Sequence, residues 1–128
     1  KYSSFNDFTI RYRRDFNFDK SRVESEYFKI NADYHVYGVV NVGKSSFKNA
    51  SKFLKFAVID LKKIYENIKT GSIQIGGISG YRCLLKGNKM ICPIVKNRDY
   101  SSTFIPFDIT YLNKLFKDEC IILQEGYI

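Results

Sequence analysis

Residues 8 to 18 alternate between apolar and polar side chains, except at Arg14. In an extended chain, one side carries Phe8, Ile10, Tyr12, Phe16 and Phe18, and the other carries Thr9, Arg11, Arg13, Asp15 and Asn17. A period of two residues predicts a half-buried β-strand. Such a strand needs partner strands and a second layer over its apolar side, which confines the chain to folds built on a layered sheet.

The same pattern predicts further strands along the chain. They run from Glu26 to Asn31, Tyr34 to Val40, Ser72 to Ile75, Tyr81 to Lys86, Lys89 to Lys96, Thr103 to Phe107 and Cys120 to Gln124. Gly87 and Asn88 separate two of them and predict a two-residue hairpin turn.

The segment from Ser45 to Thr70 fits two interpretations. Its apolar residues keep a helical period, as in one long amphipathic helix, but residues 52 to 59 also fit a strand. In the second case Asp60 caps a shorter helix, Lys69 lies in its last turn, and Gly71 supplies a left-handed stop. Both interpretations predict a helix after Asp60.

An internal match favours the strand. Residues 51 to 65 align without gaps with residues 102 to 116, with five of the fifteen positions identical. Pro106 favours an extended chain in the second segment, and Asp108 or Thr110 can cap a helix that continues to about Lys117. We therefore predict one domain over 1–128, of class α+β, with a mostly antiparallel sheet and two helices. An internal repeat would divide it into two tandem ββββα units, 1–70 and 71–128.

The net charge indicates an anionic partner. Lys and Arg number 21 against 13 Asp and Glu, which gives +8, and the cations recur along the chain among ten Tyr and eleven Phe. Basic residues interleaved with aromatic rings are typical of surfaces that bind nucleic acid, although a lysine-rich composition also serves solubility. The candidate binding residues are Arg11, Arg13, Tyr27, Lys29, Lys44, Tyr81, Arg82, Lys86, Lys89, Lys96 and Arg98.

One short motif points to a different ligand. Gly38-Val-Val-Asn-Val-Gly43-Lys44-Ser45 satisfies the P-loop pattern and follows a predicted strand. It resembles the first motif of small GTPases of the Era and YqeH kind, which implies Lys44 on the β- and γ-phosphates and Ser45 on Mg²⁺. The later D-x-x-G and N-K-x-D motifs of that family do not follow, so nucleotide binding is an alternative hypothesis.

The remaining candidates favour structural roles. His35 has no catalytic partner at a recognisable spacing, Glu24 and Glu26 fit a solvated strand edge, and residues 76 to 80 fit a flexible Gly-rich loop. Cys83, Cys92 and Cys120 have no metal-binding spacing and are predicted to be buried thiols of an intracellular protein. We predict no enzyme activity, no metal or cofactor, and no membrane partner, since no apolar stretch approaches about 18 residues.

Two tandem ββββα units on a basic chain resemble the layout of the Pur-alpha and Whirly group of single-stranded nucleic-acid binders. This resemblance is architectural and implies a curved sheet that holds the strand, with helices behind it. The leading hypothesis is thus a module that binds single-stranded DNA or RNA with little sequence preference, through a basic, tyrosine-bearing sheet. A third hypothesis is a protein-interaction domain that assembles into a homo-oligomer or larger complex.

Overall fold

The computed structural model describes residues 6–15, 22–40, 52–98 and 101–127. Over these residues the fold is α+β, with short helices and mostly antiparallel strands. The strands are β1 (Asp7–Asp15), β2 (Arg22–Glu24), β3 (Tyr34–Val40), β4 (Phe53–Asp60), β5 (Ile73–Ile75), β6 (Leu84–Lys86), β7 (Lys89–Cys92), β8 (Val95–Lys96), β9 (Ser102–Asp108) and β10 (Ile121–Glu125). The helices are α1 (Glu26–Lys29), α2 (Leu61–Thr70) and α3 (Ile109–Phe116), with a 3-10 turn over Lys117–Glu119.

The strands form three sheets whose orders do not follow the chain. The first has the order β2-β1-β9-β8, the second β10-β4-β3 and the third β5-β7-β6. All pairings are antiparallel except that of β5 with β7. Because β1 pairs β9 and β10 pairs β4, both the first and the second sheet take strands from both halves of the chain.

The core lies where the inner faces of these sheets meet. Phe8 of β1 and Phe107 of β9 are directly opposite in the ladder and stack, with ring centroids 5.0 Å apart. The ring of Phe8 also approaches His35 and Tyr37 of β3, at 6.0 and 6.3 Å. The first and second sheets are therefore packed together through aromatic contacts.

Both longer helices begin directly after a strand, at an aspartate. The Asp60 carboxylate accepts a hydrogen bond from the Lys63 backbone N–H at 3.1 Å, and Asp108 accepts one from Tyr111 at 2.9 Å. The predicted left-handed stop of α2 is confirmed, because Gly71 has φ +88°. The strand over residues 52 to 58 is confirmed as well, so the single long helix is wrong.

The ungapped sequence alignment of the two segments is shifted by three residues from the alignment that superposes their strand–helix junctions. The ungapped alignment pairs Asp60 with Tyr111, whereas the two capping aspartates are Asp60 and Asp108. Aligning the caps also pairs Leu61 with Ile109 and Ile64 with Leu112, all four of which are buried. Each half does contain a strand followed directly by a helix, and β10 follows the second of these helices.

Three predicted strands are wrong in detail. The strand predicted from Tyr81 to Lys86 is shorter, because β6 begins at Leu84. Residues 26 to 29 form α1 instead of a strand, and the rings of Tyr27 and Phe28 pack on Tyr12 at 5.3 and 5.0 Å. This tertiary contact outweighs a short alternating pattern. The strand predicted over residues 89 to 96 is broken at Pro93, which has no N–H to donate, so β7 and β8 join different sheets.

None of the helices within the described ranges is long and apolar enough to cross a membrane.

Candidate nucleic-acid interface

The predicted binding residues do not share one sheet face. Those that the structure describes fall into four groups at different places in the fold. The first is formed by Arg11 and Arg13 on β1 with Tyr27 and Lys29 on α1, and the second by Tyr81 and Arg82 after the Gly-rich loop. The third is the pair Lys86 and Lys89 at the β6–β7 turn, and the fourth is Lys96 on the edge strand β8 with Arg98 just after it. Lys44 lies outside the described residues.

A β-bulge separates the two arginines of β1. The ladder with β9 shifts between Arg11, opposite Phe104, and Arg13, opposite Thr103. Strict alternation places both guanidinium groups on the outer face, but the extra residue turns Arg13 towards the aromatic cluster. Its guanidinium carbon lies 5.3 Å from the Tyr12 ring centroid and 5.2 Å from that of Phe28. Arg13 therefore makes cation–π contacts within the fold, and Arg11 is the more exposed of the two.

The side chain of Tyr27 also packs against other aromatic rings within the fold. Its ring contacts Tyr12, Phe28 and Tyr65, and its carbonyl oxygen accepts a 2.8 Å hydrogen bond from the Tyr65 hydroxyl. Burial raises the pKa of both phenols, and the half-buried ring of Tyr27 has little surface left for a base. Tyr81, in contrast, is 76% exposed and can offer its ring to a ligand.

Lys86 and Lys89 line a cleft on the outer face of the third sheet. The cleft has a volume of about 430 Å³ and is lined by Gln74, Gly77, Ile78, Lys86, Lys89 and Ile91. Gln74 of β5 lies beside Ile91 of β7 in the parallel ladder, and the loop after β5 supplies the Gly77 and Ile78 side. Its lining, as far as the structure describes it, combines two cations, one amide and apolar carbons, with no carboxylate.

The two lysines are directly opposite each other across the hairpin. Lys86 pairs with Lys89 in the antiparallel register, and Gly87 in the turn has φ +62°, which confirms the predicted two-residue connection. Like charges at directly opposite positions destabilise a hairpin. An anion bound between the two ammonium groups would remove that repulsion, so this arrangement suits a phosphate.

Arg82 belongs to a second polar cluster, which the sequence did not indicate. Asp7 of β1 and Asp108 of β9 are cross-strand partners, and Arg82 is near enough to lower the pKa of both carboxyls. Burial and the neighbouring Asp108 outweigh that effect and raise the pKa of Asp7 to about 6. Repulsion between the two carboxylates and their partial burial thus favour protonation of Asp7.

Lys55 approaches the same cluster from β4. It is only 4% exposed, and its ammonium lies 4.5 Å from the centroid of the Tyr127 ring. Burial lowers the pKa of Lys55, while Asp7 opposes that shift. Along β4 the buried side chains alternate, and Lys55 lies on the inward side with Ala57 and Ile59. This alternation is visible in the sequence, but the same residues also fit a helical period, which hides the inward position of Lys55.

The shifted pKa of Asp7 predicts a pH-dependent stability. Between about pH 4 and 6 the folded chain holds a proton on Asp7 that the unfolded chain has released, so the free energy of unfolding falls as pH rises through this window. Asp7→Asn should therefore raise stability at pH 7 by about 1 kcal/mol, a value reduced for the solvent exposure of the group. Urea unfolding from about pH 4 to 7 measures the effect. Asp118→Asn, at an exposed acid of the 3-10 turn, is the control, and a loss of stability in Asp7→Asn at pH 7 would contradict the argument.

Of the four residues that the P-loop hypothesis assigns to nucleotide binding, only Gly38 lies within the described residues. This glycine lies inside β3, is paired with Phe56, and has the ring of Phe53 packed against it. Packing alone accounts for a glycine at this position, because a Cβ there would collide with the Phe53 ring. Gly43, Lys44 and Ser45 lie outside the described residues, and Mg²⁺-dependent nucleotide binding that is lost in Lys44→Ala stays a prediction.

The second sheet has an apolar outer face. Leu123 of β10, Val58 of β4 and Val36 of β3 lie side by side in register, and Leu123 and Val36 are 56% and 59% exposed. Tyr34, Phe53, Leu54 and Ile122 are exposed on the same three strands. A contiguous apolar surface of this kind is typical of interaction sites.

No group of three or more His, Cys, Asp or Glu side chains is arranged to hold a metal ion in the described part of the chain. His35 packs against the rings of Phe8 and Tyr37, and burial lowers its pKa. Comparisons of the chain with protein-family models, with curated proteins and with solved structures found no match.

Proposed function

We propose that this protein binds single-stranded nucleic acid through the cleft between the β6–β7 hairpin and the loop after β5. The observation that carries the proposal is the Lys86–Lys89 pair, two like charges held opposite each other beside a cleft without a carboxylate in its described lining. The net charge of +8 supports it, because a positive field attracts polyanions from a distance.

The chemistry of the cleft fits one nucleotide unit of a strand. The two ammonium groups would neutralise backbone phosphates, while the half-buried Ile78 offers apolar surface and Gln74 an amide. The exposed ring of Tyr81 follows the loop that borders the cleft and can stack on an unpaired base. Base stacking contributes about 1 to 3 kcal/mol and tolerates any sequence, so we expect a preference for single strands with little sequence selectivity.

The proposal predicts salt-sensitive binding that depends on the cleft lysines. Each phosphate contact to a single strand contributes about 0.7 to the slope of log affinity against log salt. The double variant Lys86→Ala, Lys89→Ala should therefore lose about 1.4 of that slope and bind about tenfold or more weakly at moderate salt. Fluorescence anisotropy with labelled single-stranded RNA and DNA, titrated at several salt concentrations, measures both quantities.

The matched control removes the same charge elsewhere. Lys69 and Lys114 are exposed lysines in the last turns of α2 and α3 and do not line the cleft. Lys69→Ala with Lys114→Ala lowers the net charge by the same two units and should change the slope much less. If the two double variants lose salt slope and affinity equally, binding depends on overall charge, and the proposal that the cleft is the binding site is refuted. Absence of any binding would refute the function.

The exposed apolar row on the second sheet favours a second candidate function, protein interaction. Leu123, Val58 and Val36 form this row, and apolar area removed from water contributes about 25 cal/mol per Å² to association, against the entropy that the partners lose. If copies of the chain associate through it, sedimentation equilibrium should show an oligomer that Val36→Lys dissociates. Nucleic-acid binding through the cleft should survive that change.

A further inference from the structure

Two of the three cysteines face each other inside the fold. The sulfur atoms of Cys83 and Cys92 are 3.5 Å apart, and the Cys83 sulfur lies 3.1 Å from the Pro106 carbonyl oxygen. Both side chains are buried, and both are free thiols. Cys120 is buried elsewhere, with its sulfur 3.9 Å from the Asn67 amide nitrogen.

The backbone places this pair where a cross-strand disulfide fits. Lys86 and Lys89 flank a two-residue turn and so form a hydrogen-bonded pair, after which the pair types alternate along an antiparallel hairpin. Leu84 pairs with Ile91, and extending the register by one residue sets Cys83 opposite Cys92 at a non-hydrogen-bonded position. At such positions the Cα atoms are about 4.5 Å apart, within the range that a disulfide spans.

The side chains also lie on the same face of the hairpin. Cys83, Met90 and Cys92 are buried against the core, whereas Leu84, Lys86 and Lys89 are exposed on the outer face. The thiol pair is therefore beneath the hairpin whose outer side carries the two cleft lysines.

We propose that Cys83 and Cys92 are a redox pair that closes to a cross-strand disulfide by exchange with a low-molecular-weight disulfide such as oxidised glutathione. The resulting bond joins β6 to β7 below Lys86 and Lys89. The reasons for this redox pair are the hairpin register and the distance between the two sulfur atoms, and they do not depend on nucleic-acid binding.

The exchange proceeds in two balanced steps. The Cys83 thiol loses its proton and its sulfur attacks one sulfur of glutathione disulfide, which forms a mixed disulfide and releases one glutathione thiolate. The Cys92 sulfur, after losing its proton, then attacks the Cys83 sulfur and releases the second thiolate. Two electrons pass from the protein to the glutathione disulfide, and the two protons end on two molecules of glutathione.

Cys83 is the better first nucleophile because it ends the exposed loop that carries Tyr81, whereas Cys92 is within β7 and fully buried. The hydrogen bond with Cys83 and burial raise the pKa of Cys92, so the closing step is slow at neutral pH and accelerates as pH rises.

The test uses the folded protein. It is incubated with excess oxidised glutathione at about pH 8, near the ordinary thiol pKa. The reaction is quenched in acid, the protein is unfolded in guanidinium at neutral pH with N-ethylmaleimide to alkylate the remaining thiols, and it is then digested for mass spectrometry. We expect a linked peptide pair containing Cys83 and Cys92, with Cys120 alkylated. The oxidised protein should also unfold several degrees higher than the same sample after treatment with dithiothreitol.

The peptide map of the wild-type protein shows whether Cys83 and Cys92 are linked, even if a cysteine variant folds poorly. Cys83→Ser and Cys92→Ser should each abolish the link, and Cys120→Ser, the matched control, should keep it. A glutathione adduct that persists on Cys83, a link to Cys120, or closure only in guanidinium-unfolded protein would overturn the proposal.

Discussion

Replacing Phe8 with alanine should lower the free energy of unfolding by about 4 kcal/mol, the ordinary cost of truncating a fully buried phenylalanine. The Phe8 side chain is 0% exposed and stacks on Phe107. It also contacts His35 and Tyr37 on the second sheet, so its loss opens a cavity between two sheets that cannot collapse independently. Few single changes in this chain should weaken it more.

The effect is measured by urea unfolding followed by far-ultraviolet circular dichroism, since the chain has no Trp for fluorescence. Phe53→Ala is the matched control, because Phe53 is 50% exposed and the same atoms are removed. We expect it to cost below about 1 kcal/mol. Similar losses in the two variants would mean that the first and second sheets are not packed through Phe8.

Replacing Gly126 with alanine should cost about 3 kcal/mol, for two reasons that add. Gly126 has φ +89°, a conformation that costs a non-glycine residue about 1 to 2 kcal/mol. A Cβ there would also lie 2.6 Å from the Cβ of Lys55 and 3.2 Å from the Leu54 carbonyl oxygen. Because Lys55 is buried, neither it nor the backbone of β4 can move aside without disturbing the packing on Tyr127.

Gly71 separates the two contributions. Its φ is +88°, nearly the same, but a Cβ added there meets nothing within 4 Å. Gly71→Ala should therefore show the conformational cost alone, about 1 kcal/mol. Thermal and urea unfolding of the two variants measure the difference. If Gly126→Ala costs no more than Gly71→Ala, the close approach of Gly126 to Lys55 is contradicted.

Local sequence signals predicted most of the elements. The alternation of residues 8 to 18 predicted β1, the aspartates and Gly71 predicted the ends of α2, and Gly87-Asn88 predicted the hairpin. These features depend on periods and caps within a few residues, which a single chain displays directly. The positions of Lys86 and Lys89 beside the turn followed from the same signal.

The candidate site was only partly foreseen. Charge identified Lys86 and Lys89, but Gln74 and Ile78, which complete the cleft, come from a parallel partner strand and a loop that local patterns do not connect to the hairpin. Arg13 was assigned to the wrong face, because one extra residue in a bulge reverses the alternation after it. The Cys83–Cys92 pair is implied by the hairpin register, although the spacing resembles no familiar motif.

By itself the sequence determined a basic α+β chain, its strand–helix transitions and its hairpin, because each depends on the conformational preferences of neighbouring residues. Only the tertiary structure decided that β1 pairs β9, that β10 pairs β4, and that the cations divide into separate groups. The physical reason is that strands pair through backbone groups, which are alike in every strand. Which strands meet is settled by the burial of Phe8, Phe107 and the rest of the shared core, and that depends on the whole chain.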